Sequence, residues 1–109
     1  MNESRLPERY EVQIENAVIV MTACVKHQHF TYNNGNHADR FELHNVAVKR
    51  VKSVLKKVMD DGNIENVAAV LEDIKQHFID SVNSVHIVNK TMRLKKKQLL
   101  KFLNSIEIK

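Results

Sequence analysis

Only Pro7, Gly35 and Gly62 supply proline or glycine in this chain, so almost nothing in it is built to turn sharply. Tight turns in β proteins draw on glycine for left-handed backbone, and two glycines in 109 residues leave little for a turn-rich sheet. The expectation is therefore a few long helices in one domain covering residues 1–109, with 43% hydrophobic residues to form a core.

Pro7, followed by Glu8 and Glu11, has the composition of a first helical turn. From Tyr10 onward, Ile14, Ala17, Met21 and Cys24 recur at alternating spacings of four and three, with Val18 and Val25 beside them, predicting a helix over 7–29. Val12, Ile19, Val20 and Ala23 lie on its other faces. A helix apolar nearly all round is buried on several sides or shared between subunits, and these four residues are the expected oligomer interface. The density of valine and isoleucine also permits a strand here.

Residues 31–39 (TYNNGNHAD) lack periodicity and read as the longest loop, although Asn34-Gly35 would suit a tight hairpin if strands flanked it. A second helix is predicted from near Asp39, where Phe41, His44, Val48, Val51, Leu55 and Val58 follow a three-four alternation opposite Lys49, Arg50, Lys52, Lys56 and Lys57. Gly62 as a C-cap and Asn63 as an N-cap predict a tight hairpin turn at 61–63. The third helix runs from Ile64 through Val67, Leu71, Ile74, Phe78, Val82 and Val85.

Ser81 to Thr91 contains modest helix formers, and two architectures are open to it. A break there gives a bundle of three to four helices with antiparallel neighbours. No break gives one helix over 63–106, about 65 Å long, whose far end would need a partner in an oligomer. The last segment, Thr91 to Ile106, places Met92, Leu99, Leu100, Phe102, Leu103 and Ile106 on one face. The expected core comprises Ile14, Val18, Met21, Phe41, Val48, Val51, Leu55, Leu71, Ile74, Phe78, Leu99 and Leu103.

Charge falls in blocks: residues 1–39, 40–59, 60–89 and 90–109 carry net −2, +5, −5 and +6. Adjacent second and third helices would let Glu65, Glu72, Asp73 and Asp80 balance the cations of the second block. Arg93, Lys95, Lys96, Lys97 and Lys101 then remain as the strongest candidate for an anion or nucleic-acid surface, with Lys49, Arg50, Lys52, Lys56 and Lys57 as a second set.

Catalytic patterns are incomplete. Isolated glycines exclude a phosphate-binding loop. No acid has a histidine three residues later, which removes a di-iron carboxylate bundle. Cys24 lies in an apolar run that would raise its pKa and make it a structural thiol. His27, His29, His37 and His44 are weak candidates for a metal site, since their spacing matches no standard finger. Arg40 with His44 lacks a second element that would make an RNA-cleaving pair. Asp73 and His77 read as a local helix pair.

No cofactor and no enzymatic activity are expected. The chain reads as a small basic protein-interaction module, a regulator, inhibitor or assembly adaptor, that binds a protein partner or itself. The alternative is a DNA- or RNA-binding protein that contacts phosphates through its basic C-terminal helix. A polar Met1 to Arg9 and an uncharged stretch of only Asn16 to Val25 disfavour export and a membrane partner. With one cysteine, a reducing cytoplasm is the expected compartment.

Overall fold

In the computed structural model, which describes residues 6–26, 30–32, 36–38 and 40–108, with side chains over 6–26 and 43–108, the chain is a small all-α bundle. A 3-10 turn (Glu8–Tyr10) leads into α1 (Glu11–Val25), followed by a short hairpin of β1 (Phe30–Tyr32) and β2 (Asn36–Ala38). Three helices complete it: α2 (Arg40–Met59), α3 (Val67–Asn83) and α4 (Lys90–Asn104).

α1 packs most extensively on α2 and also on α3 and α4, which accounts for the apolar residues on all but its outer side. It buries Ile14, Ala17, Val20, Met21, Ala23, Cys24 and Val25. Val20 and Ala23 are therefore core residues and not the oligomer interface expected of them. Val12 and Ile19 remain exposed, at 71% and 47%. α1 is shorter than the predicted span 7–29: a 3-10 turn precedes it, and it ends with its apolar run at Val25, where Lys26 donates to the Thr22 carbonyl at 2.9 Å in a closing turn.

Across the segment read as loop, 30–32 and 36–38 pair as antiparallel strands, with Phe30 opposite Ala38 and Tyr32 opposite Asn36. Three-residue strands are too short to show alternation, so only Asn34-Gly35 signalled them.

α2 matches its predicted span, but its inner face is rotated in the first half. Leu43 and Ala47 are buried where His44 and Val48 were expected, and the seam continues through Val51, Val54, Leu55 and Val58. Both rows meet at Val51, so an apolar residue one position away can replace the true one without breaking the pattern. Val18 and Val48 are only partly buried. The Phe41 side chain lies outside the described residues.

The link between α2 and α3 spans 60–66, longer than the tight turn expected at 61–63, and α3 begins at Val67 and not at Ile64. Asp61 organises it: one carboxylate oxygen accepts the Asn63 backbone N–H at 2.9 Å, and the other accepts the Tyr10 hydroxyl at 2.7 Å and Arg9 Nη1 at 3.0 Å. The link is thus tied to the N-terminal turn. Asn66 adopts the left-handed conformation (φ 50°) immediately before α3, and its carbonyl accepts from Ala69 and Val70. Asparagine tolerates that backbone better than other non-glycine residues.

Helix 63–106 is not continuous. α3 stops at Asn83, and the whole fold measures 40 × 30 × 27 Å. Serine hydroxyls occupy the carbonyls near the end of α3, Ser81 Oγ donating to His77 O at 2.8 Å and Ser84 Oγ to Ser81 O at 2.7 Å. Val85 then turns into the core, and Asn89 restarts a helix by accepting the Met92 N–H at 2.9 Å on its side-chain oxygen.

The core runs through all four helices, with Ile14, Met21, Leu43, Val51, Ile74, Phe78, Leu99 and Leu103 at 2% exposure or less. Full burial of each large side chain contributes about 1.5–3 kcal/mol. Among the described residues the fully buried ones are all apolar, and the charged side chain of Asp61 keeps 7% of its surface exposed where it ties the 60–66 link to the N-terminal turn.

Candidate interaction surface

α2 and α4 carry the two basic blocks, and both rest on α1 and α3. Two pairings fix how they lie. Lys95 of α4 is close enough to His44 of α2 to act on its protonation, and Lys52 Nζ stands 6.0 Å from the centre of the Phe102 ring. Eight residues along α2 correspond to seven along α4, so the two helices run in the same direction with a trough between them. That is the arrangement expected of the second and fourth members of an up-and-down bundle.

At its far end the trough opens into a cleft of about 430 Å³. Leu55 and Met59 of α2, Leu71 of α3, and Phe102, Ile106 and Ile108 at the C-terminal end line it. Met59 is 57% exposed, a large apolar side chain turned toward solvent at the lip. Lys52 and Lys56 stand on one rim and Glu107 on the other. Lys56 also pairs with Asp60 one turn later at 3.0 Å, an exposed i,i+4 contact that contributes only a few tenths of a kcal/mol. The residues beyond α4 are held in place by Lys75 of α3, which donates to the Ile106 carbonyl at 2.8 Å.

The ten cations singled out in the sequence do not share one surface. Lys52 and Lys56 rim the trough, whereas Arg50 and Lys57 turn toward α1 beside Gln13 and Asn16. Lys49 is exposed between them. On α4, Arg93, Lys96 and Lys97 surround a shallow depression of about 300 Å³ with Ile87 and Leu100. Lys101 is exposed, and helical spacing puts it in line with Lys90, Arg93 and Lys97. Lys95 is the exception, half-buried and directed to the opposite side, where its charge reaches both Cys24 and His44.

Cys24 is 1% exposed, and burial pushes its thiol up despite the opposing field of Lys95. It is a neutral core group. His44 is half-buried, with Nδ1 enclosed and lacking a hydrogen-bond partner. Burial first, and Lys95 second, hold it below the ordinary imidazole value of 6.5. His27, His29 and the side chain of His37 lie outside the described residues, and among those described no group of three or more His, Cys, Asp or Glu could hold a metal ion. His77 stands beside Phe78, with ring centres 6.3 Å apart. No described helix is long and apolar enough to cross a membrane.

The opposite surface of the bundle has a different character. The exposed side of α1 carries Val12 and Ile19 together with Glu15, and Glu8 and Glu11 adjoin it.

The sequence assigned Leu55, Phe102 and Ile106 to apolar faces without showing that they would line a cleft. A periodic pattern marks which residues avoid water, but the distance between α2 and α4 decides which of them are covered. Met59 and Ile108, at the ends of their segments, had no signal of their own. No protein-family model, curated protein or solved structure matches this chain.

Proposed function

We propose that this chain is a non-catalytic protein-interaction module whose α2–α4 trough docks an amphipathic helix with acidic flanks. The observation that carries this reading is the cleft itself: about 430 Å³ lined by Leu55, Leu71, Phe102, Ile106 and Ile108, open at Met59 and bordered by Lys52 and Lys56. Grooves of this kind receive the apolar face of a helix through anchors spaced i, i+3/i+4 and i+7. The lysines select partners whose flanking residues are acidic and exclude basic ones. Lys52 Nζ, 6.0 Å from the Phe102 ring centre, lies at the edge of cation–π range and keeps its charge beside the apolar lining.

A direct test uses a fluorescein-labelled helical peptide with leucines at i, i+4 and i+7 and glutamates beside them, titrated by anisotropy against a scrambled control. Binding is expected for the patterned peptide alone. Met59→Asp should weaken it about tenfold or more, equivalent to about 1.4 kcal/mol. Absence of binding, or binding indifferent to Met59→Asp, would overturn the reading.

One observation favours a second reading. Lys90, Arg93, Lys97 and Lys101 form an exposed stripe about 16 Å long on α4, suited to following phosphates along a nucleic-acid backbone. Titration of mixed-sequence duplex DNA and RNA separates the two. Salt-sensitive binding lost in an Arg93→Gln, Lys97→Gln, Lys101→Gln variant would assign α4 to nucleic acid.

A further inference from the structure

Five large apolar side chains are exposed among the described residues: Val12, Ile19, Met59, Val88 and Leu94. Two of these lie on the outer side of α1 and one lies at the lip of the trough. Val12 and Ile19 are seven residues apart, about 10 Å along one stripe of the helix. Lys52 and Met59 bound the trough at the same spacing, seven residues along α2. On the lysine rim the charge is complementary as well. Glu8, Glu11 and Glu15 accompany the α1 stripe, while Arg9, the cation among them, is bound to Asp61 at 3.0 Å. Lys52 and Lys56 edge the trough; the pair that Lys56 makes with Asp60 is exposed, weak and open to exchange for a partner's carboxylate, and Glu107 stands on the other side.

We infer that the occupant of the trough is a second copy of this chain, which presents the Val12–Ile19 stripe of α1 with its glutamates. The inference rests on the docking reading above and names the partner. In one molecule the two surfaces cannot meet, because the inner side of α1 is locked in the core and its outer side faces away from the bundle. The contact is therefore heterologous, joining the α1 face of one copy to the trough of the next, and each added copy leaves both kinds of surface open at the ends. A patch set by two apolar anchors and three acids is small, which places the assembly in the weak, transient class and makes it sensitive to salt.

Sedimentation velocity on the full chain, from about 10 μM to about 1 mM, reads this directly. The wild type should increase in average mass with concentration beyond a dimer. Ile19→Asp, with Val12→Asp as the more exposed alternative, blocks α1, and Met59→Asp blocks the trough. Each variant alone should remain monomeric, with circular dichroism confirming its fold. An equimolar mixture of an α1 variant and the trough variant should form a one-to-one dimer and nothing larger, because one α1 face and one trough survive.

A monomeric wild type at the highest concentration, continued assembly of either variant, or a mixture that stays monomeric would overturn the proposal. If self-assembly fails while the acidic peptide still binds in a Met59-dependent manner, the trough remains a docking site for another protein. If both fail, the docking reading falls too.

Discussion

α1 and α4 have the same length, fifteen residues, and opposite relations to the bundle. α1 buries seven side chains, α4 three. α1 touches the other three helices, so its sequence is apolar in most directions because most of them are interior, the outer side with Val12 and Ile19 excepted. α4 lies at the edge, so its lysines and leucines separate cleanly into two faces. The difference teaches that apolarity all round a helix indicates how many neighbours it has, without saying whether those neighbours belong to the same chain. Val20 and Ala23 serve the chain's own core, and of the four only Val12 and Ile19 are exposed.

If α1 is the central post, damage to it should exceed damage to α4. Met21→Ala, which empties a fully buried position in α1, is expected to destabilise the fold by about 2–5 kcal/mol in urea unfolding. A loss below about 1 kcal/mol would show that α1 is not the centre of the core.

Asn89→Ala removes the side-chain acceptor of the Met92 N–H at the start of α4 and should cost about 1 kcal/mol. An unchanged urea midpoint would mean that α4 is positioned by its buried leucines alone.

Acid should act at the base of α1, and here the effect is a direction. The Asn63 N–H, the Tyr10 hydroxyl and Arg9 together hold the Asp61 carboxyl below the usual carboxylate range. Its stabilising contribution is fully present above the unfolded-state value and is lost as pH falls through the lower, folded one. Asp61→Asn should therefore flatten the acid limb of a melting-temperature profile. A limb as steep as that of the wild type would place the acid sensitivity elsewhere.

The smallest effect belongs to the outer face of α4. Leu94 is 55% exposed, and Leu94→Lys should change stability by no more than about 0.5 kcal/mol. A larger loss would give that face a packing role the fold does not show.

Much of the architecture was legible. The span of α2 is legible to within a residue or two because its lysines lie opposite an apolar row, although that row is rotated in the first half. The end of the third helix was less legible. Ser81 to Thr91 contains residues that both continue and break helices, and the choice is made by Val85 entering the core and by Asn89 capping α4. At the 60–66 link the cap chemistry of Gly62 and Asn63 is strong locally but does not set the length of the turn. The deciding group was Asp61, whose partners Tyr10 and Arg9 lie some fifty residues earlier in sequence.

The trough was the least legible feature. Its two walls come from helices separated by α3, and the charge pattern grouped Lys52 with Arg50 and Lys95 with Lys96, although each pair diverges in the fold. Helical spacing resolves which side of its own helix a lysine occupies. It does not show what stands opposite.

The most direct measurement is a nitrogen–proton correlation map of the labelled protein, recorded as the acidic amphipathic peptide is added. The expected shifts gather at Lys52 to Met59 and Phe102 to Ile108, the two walls of the trough. Shifts confined to Lys90, Arg93, Lys97 and Lys101, or none at saturating peptide, would contradict the assignment of the trough as the docking surface.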